Sequence, residues 1–222
     1  MFDAVLFDLY ETLVTERGTM PDRGSSFGPR LGLEDVAFRK AWKTQRTRVV
    51  RGELSFADAL CEVGASLGCR IDLAAVYRLS DERRLEKAGL FARFDQEALS
   101  VLGQLRERGV RLALVSNCFP EDVEAWPTSQ AAQWFDASVF SFEVGAAKPD
   151  ARIYLEAVRR LDVKADTALY VGDGGDDELL GAERVGLRAA HASWFRGELP
   201  GLPARVPRLS SWQALLELAT AG

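Results

Sequence analysis

The chain has 222 residues, of which 47% are hydrophobic and 27% charged, proportions typical of a globular protein with a sizeable core. Acidic residues outnumber basic ones by 33 to 28, and the net charge of −5 argues against a surface for nucleic acid or anionic membranes. Three cysteines without a C-x-x-C pair argue against a zinc site, and their odd number, with no recognisable signal peptide, indicates a reduced, cytoplasmic protein. No apolar run approaches the roughly 18 residues of a membrane span.

The first predicted element is a short buried strand, residues 4–7, which ends at Asp8. In parallel α/β sheets the chemistry collects outside the carboxyl ends of the strands, so Asp8 is a candidate nucleophile or metal ligand. The alternative is a carboxylate that only caps the turn after the strand. After Val14 the composition changes, and residues 15–33 are rich in Gly, Pro, Arg and Ser. This composition predicts an irregular and mobile connection.

Three helical patterns follow this connection, with start signals at Asp35, Ser55 and Asp72. Their apolar patterns include Val36, Phe38, Phe56, Leu60, Leu73 and Tyr77. Nothing between residues 32 and 88 has the pattern of a strand. The sequence therefore predicts an all-helical block inserted after a single strand.

Helices and short apolar strands then alternate. We predict strands at 110–115, 137–140, 167–171 and 188–192, helices at 96–108, 150–161, 176–185 and 211–219, and a broken helix over 120–134. This alternation predicts an α/β fold with a three-layer, doubly wound parallel sheet. The helical block is then a cap domain over residues 16–92, and residues 1–15 and 93–222 form the core domain.

Polar side chains follow several of these strands. Ser116 and Asn117 close the second strand, Lys148 precedes a helix, and Asp173 follows the fourth strand. If the strands are parallel neighbours, these groups meet Asp8 at one edge of the sheet. Ser116 and Asn117 can donate hydrogen bonds to an anion there, and Lys148 can supply positive charge. Carboxylates this close together repel each other unless a cation lies among them, and hard oxygen ligands suit Mg²⁺.

The order of these motifs resembles that of the haloacid dehalogenase-like hydrolase superfamily. The matching motifs are Asp8-Leu9-Tyr10-Glu11-Thr12, Val115-Ser116-Asn117, Ala147-Lys148-Pro149 and Gly172-Asp173-Gly174-Gly175-Asp176-Asp177-Glu178. The resemblance covers essentially the whole chain. It implies a Rossmann-like core, a helical cap between the first two motifs, and a hydrolase that acts on a small phosphorylated or halogenated molecule, with neither nucleic acid nor membrane as a partner.

The resemblance also implies roles for individual residues. The catalytic set is Asp8, Tyr10, Thr12, Ser116, Asn117 and Lys148, of which the last three bind the substrate's anionic group. The implied Mg²⁺ ligands are Asp8, Asp173, the backbone carbonyl of Tyr10, and Asp177 or Glu178. Asp177 fits the shorter spacing of the acidic motif, whereas Glu178 lies three residues before Gly181, where the family's acid usually falls. The one histidine, His191, has no acid or serine motif around it, and we expect it to be structural.

The sequence departs from the family's phosphatases at Tyr10. Those enzymes have a second Asp there, which protonates the leaving alcohol and then activates water. A tyrosine, with an ordinary pKa near 10, is a poor proton shuttle at neutral pH. Asp-x-Tyr-x-Thr is the form found in the family's 2-haloacid dehalogenases, whose halide leaves without a proton. Those enzymes, however, use no metal and lack the late Gly-Asp that this chain keeps at Gly172 and Asp173.

Three functions are therefore open. The first is a Mg²⁺-dependent phosphatase that forms an aspartyl-phosphate on Asp8. The second is a 2-haloacid dehalogenase that forms an ester on the same residue. The third is a catalytically weak protein that keeps the fold and binds metal and phosphate. The phosphatase is the leading hypothesis, because Asp173 beside Asp8 makes little sense without a cation.

Overall fold

A single parallel sheet forms the centre of the molecule, for which the computed structural model describes residues 1–17 and 27–221. Its strands are β1 (Ala4–Phe7), β2 (Arg111–Ser116), β3 (Ala137–Phe140), β4 (Ala168–Gly172), β5 (Arg188–Ala192) and β6 (Arg208–Leu209). Their spatial order is β3-β2-β1-β4-β5-β6, and every pair is parallel. The order reverses at β1, which is where open α/β sheets place their ligand crevice.

Ten helices of the described residues accompany this sheet. They are α1 (Phe27–Arg30), α2 (Asp35–Val50), α3 (Phe56–Ser66), α4 (Leu73–Phe91), α5 (Gln96–Glu107), α6 (Pro120–Val123), α7 (Ser141–Val144), α8 (Ala151–Leu161), α9 (Glu178–Arg184) and α10 (Trp212–Thr220). Of these, α5 and α10 cover one face and α8 and α9 the other. Val5 and Phe7 face the cluster that contains α5 and α10, whereas Ala4 and Leu6 face α8 and α9. This alternation buries both faces of β1, because successive side chains point to opposite sides of a strand. The predicted three-layer α/β fold is confirmed.

Side-chain caps begin most of the long helices where the sequence predicts them. Ser55 accepts a hydrogen bond from the backbone N–H of Asp58, and Asp72, Asp95 and Asp150 cap α4, α5 and α8 in the same manner. The exception is α2, where the capping side chain is Glu34, one residue before the predicted Asp35. Asp35 lies in the first turn instead, where a carboxylate also stabilises the helix dipole.

The helical insert between β1 and β2 is confirmed, and α2, α3 and α4 share a core of their own around Phe38, Phe56 and Leu60. The domain boundaries at 16–92 stay a prediction. Three residues of the predicted apolar patterns are exposed: Val36, Leu73 and Tyr77. No sequence pattern predicts α1, α7 or β6, because these elements have two to four residues each and are too short to show a period.

Much of the predicted irregular connection over 15–33 lies outside the described residues, and its last part contains α1. The predicted broken helix over 120–134 is confirmed as α6 followed by two short 3₁₀ turns, Trp126–Thr128 and Ala132–Trp134. Within the two described ranges, no helix is both long enough and apolar enough to cross a bilayer.

Candidate active site

The polar groups predicted to meet at the carboxyl edge of the sheet do so. Asp8 follows β1, Ser116 ends β2, and Asp173 follows β4, and β1 lies between the other two strands. A cavity of about 440 Å³ opens above this edge. Its floor includes Asp8, Asn117, Lys148, Asp173 and Glu178, and its roof comes from α2 and α4 of the helical insert.

Asp8 is buried and held by two partners. One carboxylate oxygen accepts a hydrogen bond from the ammonium of Lys148, and the other accepts one from the Thr12 hydroxyl at 3.3 Å. Burial raises the pKa of Asp8, and the nearby Lys148 opposes that rise. Lys148 therefore favours the ionised form of Asp8, which is the form that can attack an electrophile.

Lys148 joins Asp8 to a second buried carboxylate, Glu178. Its ammonium donates to Glu178 Oε2 at 2.5 Å and to the Tyr170 hydroxyl at 3.1 Å. Burial alone would lower the pKa of Lys148, but the two carboxylates outweigh it and raise that pKa, so the side chain stays charged. Asn117 fixes the backbone of Lys148 from both sides, since its carboxamide oxygen accepts from the Lys148 N–H at 2.8 Å and its amino group donates to the Lys148 carbonyl at 3.1 Å.

Glu178 is the most enclosed acid of the site. Its Oε1 accepts from the backbone N–H of Gly174 at 3.0 Å, and its Oε2 accepts from the Tyr170 hydroxyl at 2.6 Å. Burial and the charges of Asp8 and Asp173 raise the pKa of Glu178 to about 8. A side chain at Gly172 would place its Cβ 2.2 Å from Glu178 Oε1, which explains why a glycine precedes Asp173.

Three carboxylates of this site could share a metal ion. Asp8, Asp173 and Glu178 each offer one oxygen, and these oxygens all lie within 4.8 Å of one another. A buried set of hard oxygen donors fits Mg²⁺. Of the two acids that the sequence left open, Glu178 lies in this group, whereas Asp177 is exposed. The predicted contribution of the Tyr10 carbonyl stays a prediction.

Asp173 has a cationic partner within the protein, Arg196. The Arg196 guanidinium donates to Asp173 Oδ2 at 2.5 Å, and the backbone N–H of Gly175 donates to Oδ1 at 2.9 Å. Arg196 lies in the connection after β5 and lines the cavity, with 44% of its side chain exposed. The predicted need for a cation beside Asp173 is therefore met in part by this chain itself.

Tyr10 lies in the cavity wall, and its hydroxyl is already engaged. It donates to the backbone carbonyl of Asp122 at 3.0 Å, and burial followed by the Asp122 carboxylate raises the pKa of Tyr10 well above its usual value. The ammonium of Lys87, from α4, lies 4.0 Å from the centre of the Tyr10 ring and forms an ion pair with Glu16. Arg83, one turn earlier, pairs with Asp122 at 2.6 Å.

The remaining predicted residues have simple surroundings. Ser116 is fully buried, and its hydroxyl has no hydrogen-bond partner among residues 1–17 and 27–221. His191 is also buried, pairs in register with Gly172, and does not line the cavity. Burial lowers the pKa of His191. These surroundings are compatible with an anion-binding Ser116 and a structural His191, both of which stay predictions.

The comparisons with known proteins agree with this geometry. The haloacid dehalogenase-like hydrolase family matches residues 2–186. The chain belongs to this family. A solved phosphatase of the same family from Thermococcus onnurineus covers 98% of the chain, with 98% of its own length aligned, a TM-score of 0.66 and 19% identity, which shows the shared fold alone.

The relatives of this haloacid dehalogenase-like hydrolase include both phosphatases and a haloacid dehalogenase. A glyceraldehyde 3-phosphate phosphatase from Methanopyrus kandleri is 38% identical over 92 residues, which are 41% of this chain and 40% of the relative. An (S)-2-haloacid dehalogenase from Pseudomonas putida is 25% identical over 182 residues, 78% of this chain and 77% of the relative. The chain spans about two fifths of the length of the first curated relatives that it matches.

Sequence reasoning missed several residues of this hydrolase's site. They are Glu16, Arg83, Lys87, Tyr170 and Arg196. The sequence indicates Tyr170 only weakly, as the one side chain with a polar group in the apolar strand β4. The other four come from the helical insert and from loops, where a charged residue is usually solvent-exposed and gives no pattern. Only the tertiary structure brings them to the cavity.

Proposed function

We propose that this hydrolase is a Mg²⁺-dependent phosphatase that acts on a small phosphorylated molecule through Asp8. The observation that carries the proposal is the buried group of Asp8, Asp173 and Glu178, with Lys148 between two of its members. The composition of this group suits a hard divalent cation and an anionic substrate. The phosphatases among its relatives support the same activity.

The chain's own residues divide the work of such a reaction. An Asp8 carboxylate oxygen attacks phosphorus, the bond from phosphorus to the leaving oxygen breaks, and the phosphoryl group rests on Asp8 as an acyl phosphate. Water then attacks phosphorus, which releases phosphate and regenerates the carboxylate. Asn117 orients Lys148, whose charge faces both the nucleophile and the arriving phosphate. A bound Mg²⁺ supplies positive charge to the phosphate oxygens.

A direct assay tests the proposal. Release of p-nitrophenol and phosphate from p-nitrophenyl phosphate should require Mg²⁺ and should stop in Asp8→Asn, which keeps the shape of the residue without its nucleophilic charge. Asp173→Asn should also lose most of the activity, because it removes one charge of the proposed metal site. An enzyme that works equally well in EDTA would refute the metal-dependent reaction. Binding of Mg²⁺ and phosphate without turnover would favour a protein that only binds them.

A 2-haloacid dehalogenase is the second candidate, and two observations favour it. Tyr10 stands where the phosphatases need an acid, and halide departs without a proton. Arg196 and Lys148 together offset two of the three carboxylate charges from within the chain. This candidate predicts chloride release from 2-chloropropionate in EDTA, loss of that release in Asp8→Asn, and no effect of Mg²⁺.

A further inference from the structure

The loop that follows β5 carries an aromatic side chain that contacts the segment after Asp8. The indole N–H of Trp194 donates to the backbone carbonyl of Thr12 at 2.8 Å. Thr12 is fully buried, and among the described residues this indole is the hydrogen-bond donor to its carbonyl. Because a buried carbonyl without a donor is costly, the contact holds the Thr12 backbone in place.

Thr12 in turn holds Asp8 through its side chain. Its hydroxyl donates to Asp8 Oδ2 at 3.3 Å, while the other carboxylate oxygen accepts from Lys148. Hydrogen bonds between oxygen atoms are usually about 2.5–3.0 Å long, so this contact is already a long one. A small outward displacement of the Thr12 backbone would therefore release one side of the Asp8 carboxylate.

Trp194 is itself anchored by the last part of the chain. Its ring packs against that of Trp212, the first residue of α10, with 4.4 Å between the ring centres. The backbone N–H and the hydroxyl of the preceding residue, Ser193, both donate to the Leu209 carbonyl of β6 at 2.9 Å. Trp194 therefore connects Thr12 to a position that β6 and α10 fix.

We propose that Trp194 is a positioning residue for the nucleophile, and that its indole N–H orients the Asp8 carboxylate through Thr12. The inference rests on the proposed function, in which Asp8 attacks the substrate. An attacking oxygen must point at the electrophile, and a misplacement of about 1 Å can cost about 100-fold in rate. Without the indole N–H, Asp8 still keeps its bond to Lys148, so we expect a smaller loss of about tenfold.

The test separates the hydrogen bond from the packing of the two rings, neither of which is among the described residues that line the cavity. Trp194→Phe removes the N–H and keeps an aromatic ring beside Trp212. On p-nitrophenyl phosphate with Mg²⁺, its kcat should fall about tenfold and its KM should stay within about twofold of the wild type. Trp212→Phe is the matched control. It should lower the melting temperature, because a large buried ring becomes smaller, but keep kcat within about twofold.

A double-mutant cycle shows whether Trp194 acts through Thr12. Thr12→Val removes the hydroxyl that contacts Asp8 and keeps a similar shape. If the indole works through that hydroxyl, Trp194→Phe should lower kcat by less than about twofold in the Thr12→Val background. A further loss of about tenfold in that background would mean that the two residues act independently, and would overturn the proposal.

A second variant keeps the test decisive if Trp194→Phe does not fold. Incorporation of 3-benzothienylalanine at position 194 keeps the shape of the indole and replaces its N–H by sulfur. The same tenfold loss in kcat is expected, and circular dichroism verifies the fold of every variant.

The outcomes separate this inference from the proposed function. A wild-type kcat after removal of the N–H would overturn the role of Trp194, while Mg²⁺-dependent turnover of p-nitrophenyl phosphate upholds the phosphatase. If the wild type instead releases chloride from 2-chloropropionate, the phosphatase fails, and the same variants should slow chloride release about tenfold because Asp8 is again the nucleophile. A wild type that turns over neither compound would refute both proposals.

Discussion

Replacement of Lys148 by methionine should be the most damaging single change in the site. Lys148 lies between Asp8 and Glu178, and its side chain is 3% exposed. Methionine fills a similar volume but leaves two buried carboxylates facing each other without a cation. Breaking a buried ion pair by removing one partner costs about 3–5 kcal/mol. We therefore expect Lys148→Met to lower the free energy of unfolding by about 3–5 kcal/mol at pH 9 in EDTA, above the pKa of about 8 of Glu178, where both carboxylates are ionised.

Urea denaturation followed by circular dichroism measures this loss. Lys164→Met is the control, since Lys164 is exposed and its substitution should stay within about 0.5 kcal/mol of the wild type. The double variant Lys148→Met with Glu178→Gln should recover part of the loss, because only one of the two charges then remains. A Lys148→Met protein within about 1 kcal/mol of the wild type would refute the reasoning, because the three groups would then not form a coupled buried unit.

The same contacts lead to three further predictions. Arg196→Ala should tighten Mg²⁺ binding about three- to tenfold in calorimetric titrations, because it removes a cation that competes for Asp173. Arg205→Ala is the control, since it removes only a surface charge and should leave the affinity unchanged. Equal Mg²⁺ affinities of Arg196→Ala and the wild type would contradict this prediction. Gly172→Ala should destabilise the protein by about 1–3 kcal/mol in urea, because its Cβ meets a Glu178 oxygen, and a wild-type midpoint would show that Glu178 moves freely. In EDTA, the pKa of Glu178 is raised to about 8 in the folded state, so its contribution to stability is complete below the ordinary glutamate pKa of 4.5 and is lost as pH rises towards 8. Over that pH range, the free energy of unfolding of the wild type should therefore fall relative to that of Glu178→Gln. Parallel curves of stability against pH for the two proteins would contradict this prediction.

Local sequence signals account for most of the fold. Four helices begin where a side-chain oxygen accepts a hydrogen bond from one of the first free N–H groups and an apolar periodic run follows. The capping residues are Ser55, Asp72, Asp95 and Asp150. The strands were recognisable because both faces are buried, which produces short continuous apolar runs. Residues 208–209 gave no such signal, because two residues carry no period and β6 exists only through its pairing with β5.

The candidate site was predictable only where it follows strands. Asp8, Ser116 and Asp173 stand directly after or at the ends of strands, so the parallel topology alone brings them together. The choice between Asp177 and Glu178 depends on one residue of turn geometry: Asp177 has a positive φ of 53° and is exposed, whereas the next residue begins α9 and is buried. Spacing could not settle that choice.

Partners from distant parts of the chain could not be predicted at all. Arg196 reaches Asp173 across 23 positions, and Lys87 reaches Glu16 across 71. Neither pair has a helical or strand period, and each arginine or lysine would ordinarily be a solvated surface residue. The Lys87–Glu16 contact depends on how α4 of the insert packs, and the Arg196–Asp173 contact depends on the neighbouring loops after β5 and β4. Both are tertiary contacts with no local sequence signature.

The most direct test of the central claim is to trap the phosphoryl group on Asp8. The enzyme is mixed with ³²P-labelled acetyl phosphate and Mg²⁺, quenched in acid within milliseconds, and digested to locate the label. We predict a labelled peptide that contains Asp8, no label in EDTA, and none in Asp8→Asn. Steady Mg²⁺-dependent turnover without any covalent label on that peptide would contradict Asp8 as the nucleophile.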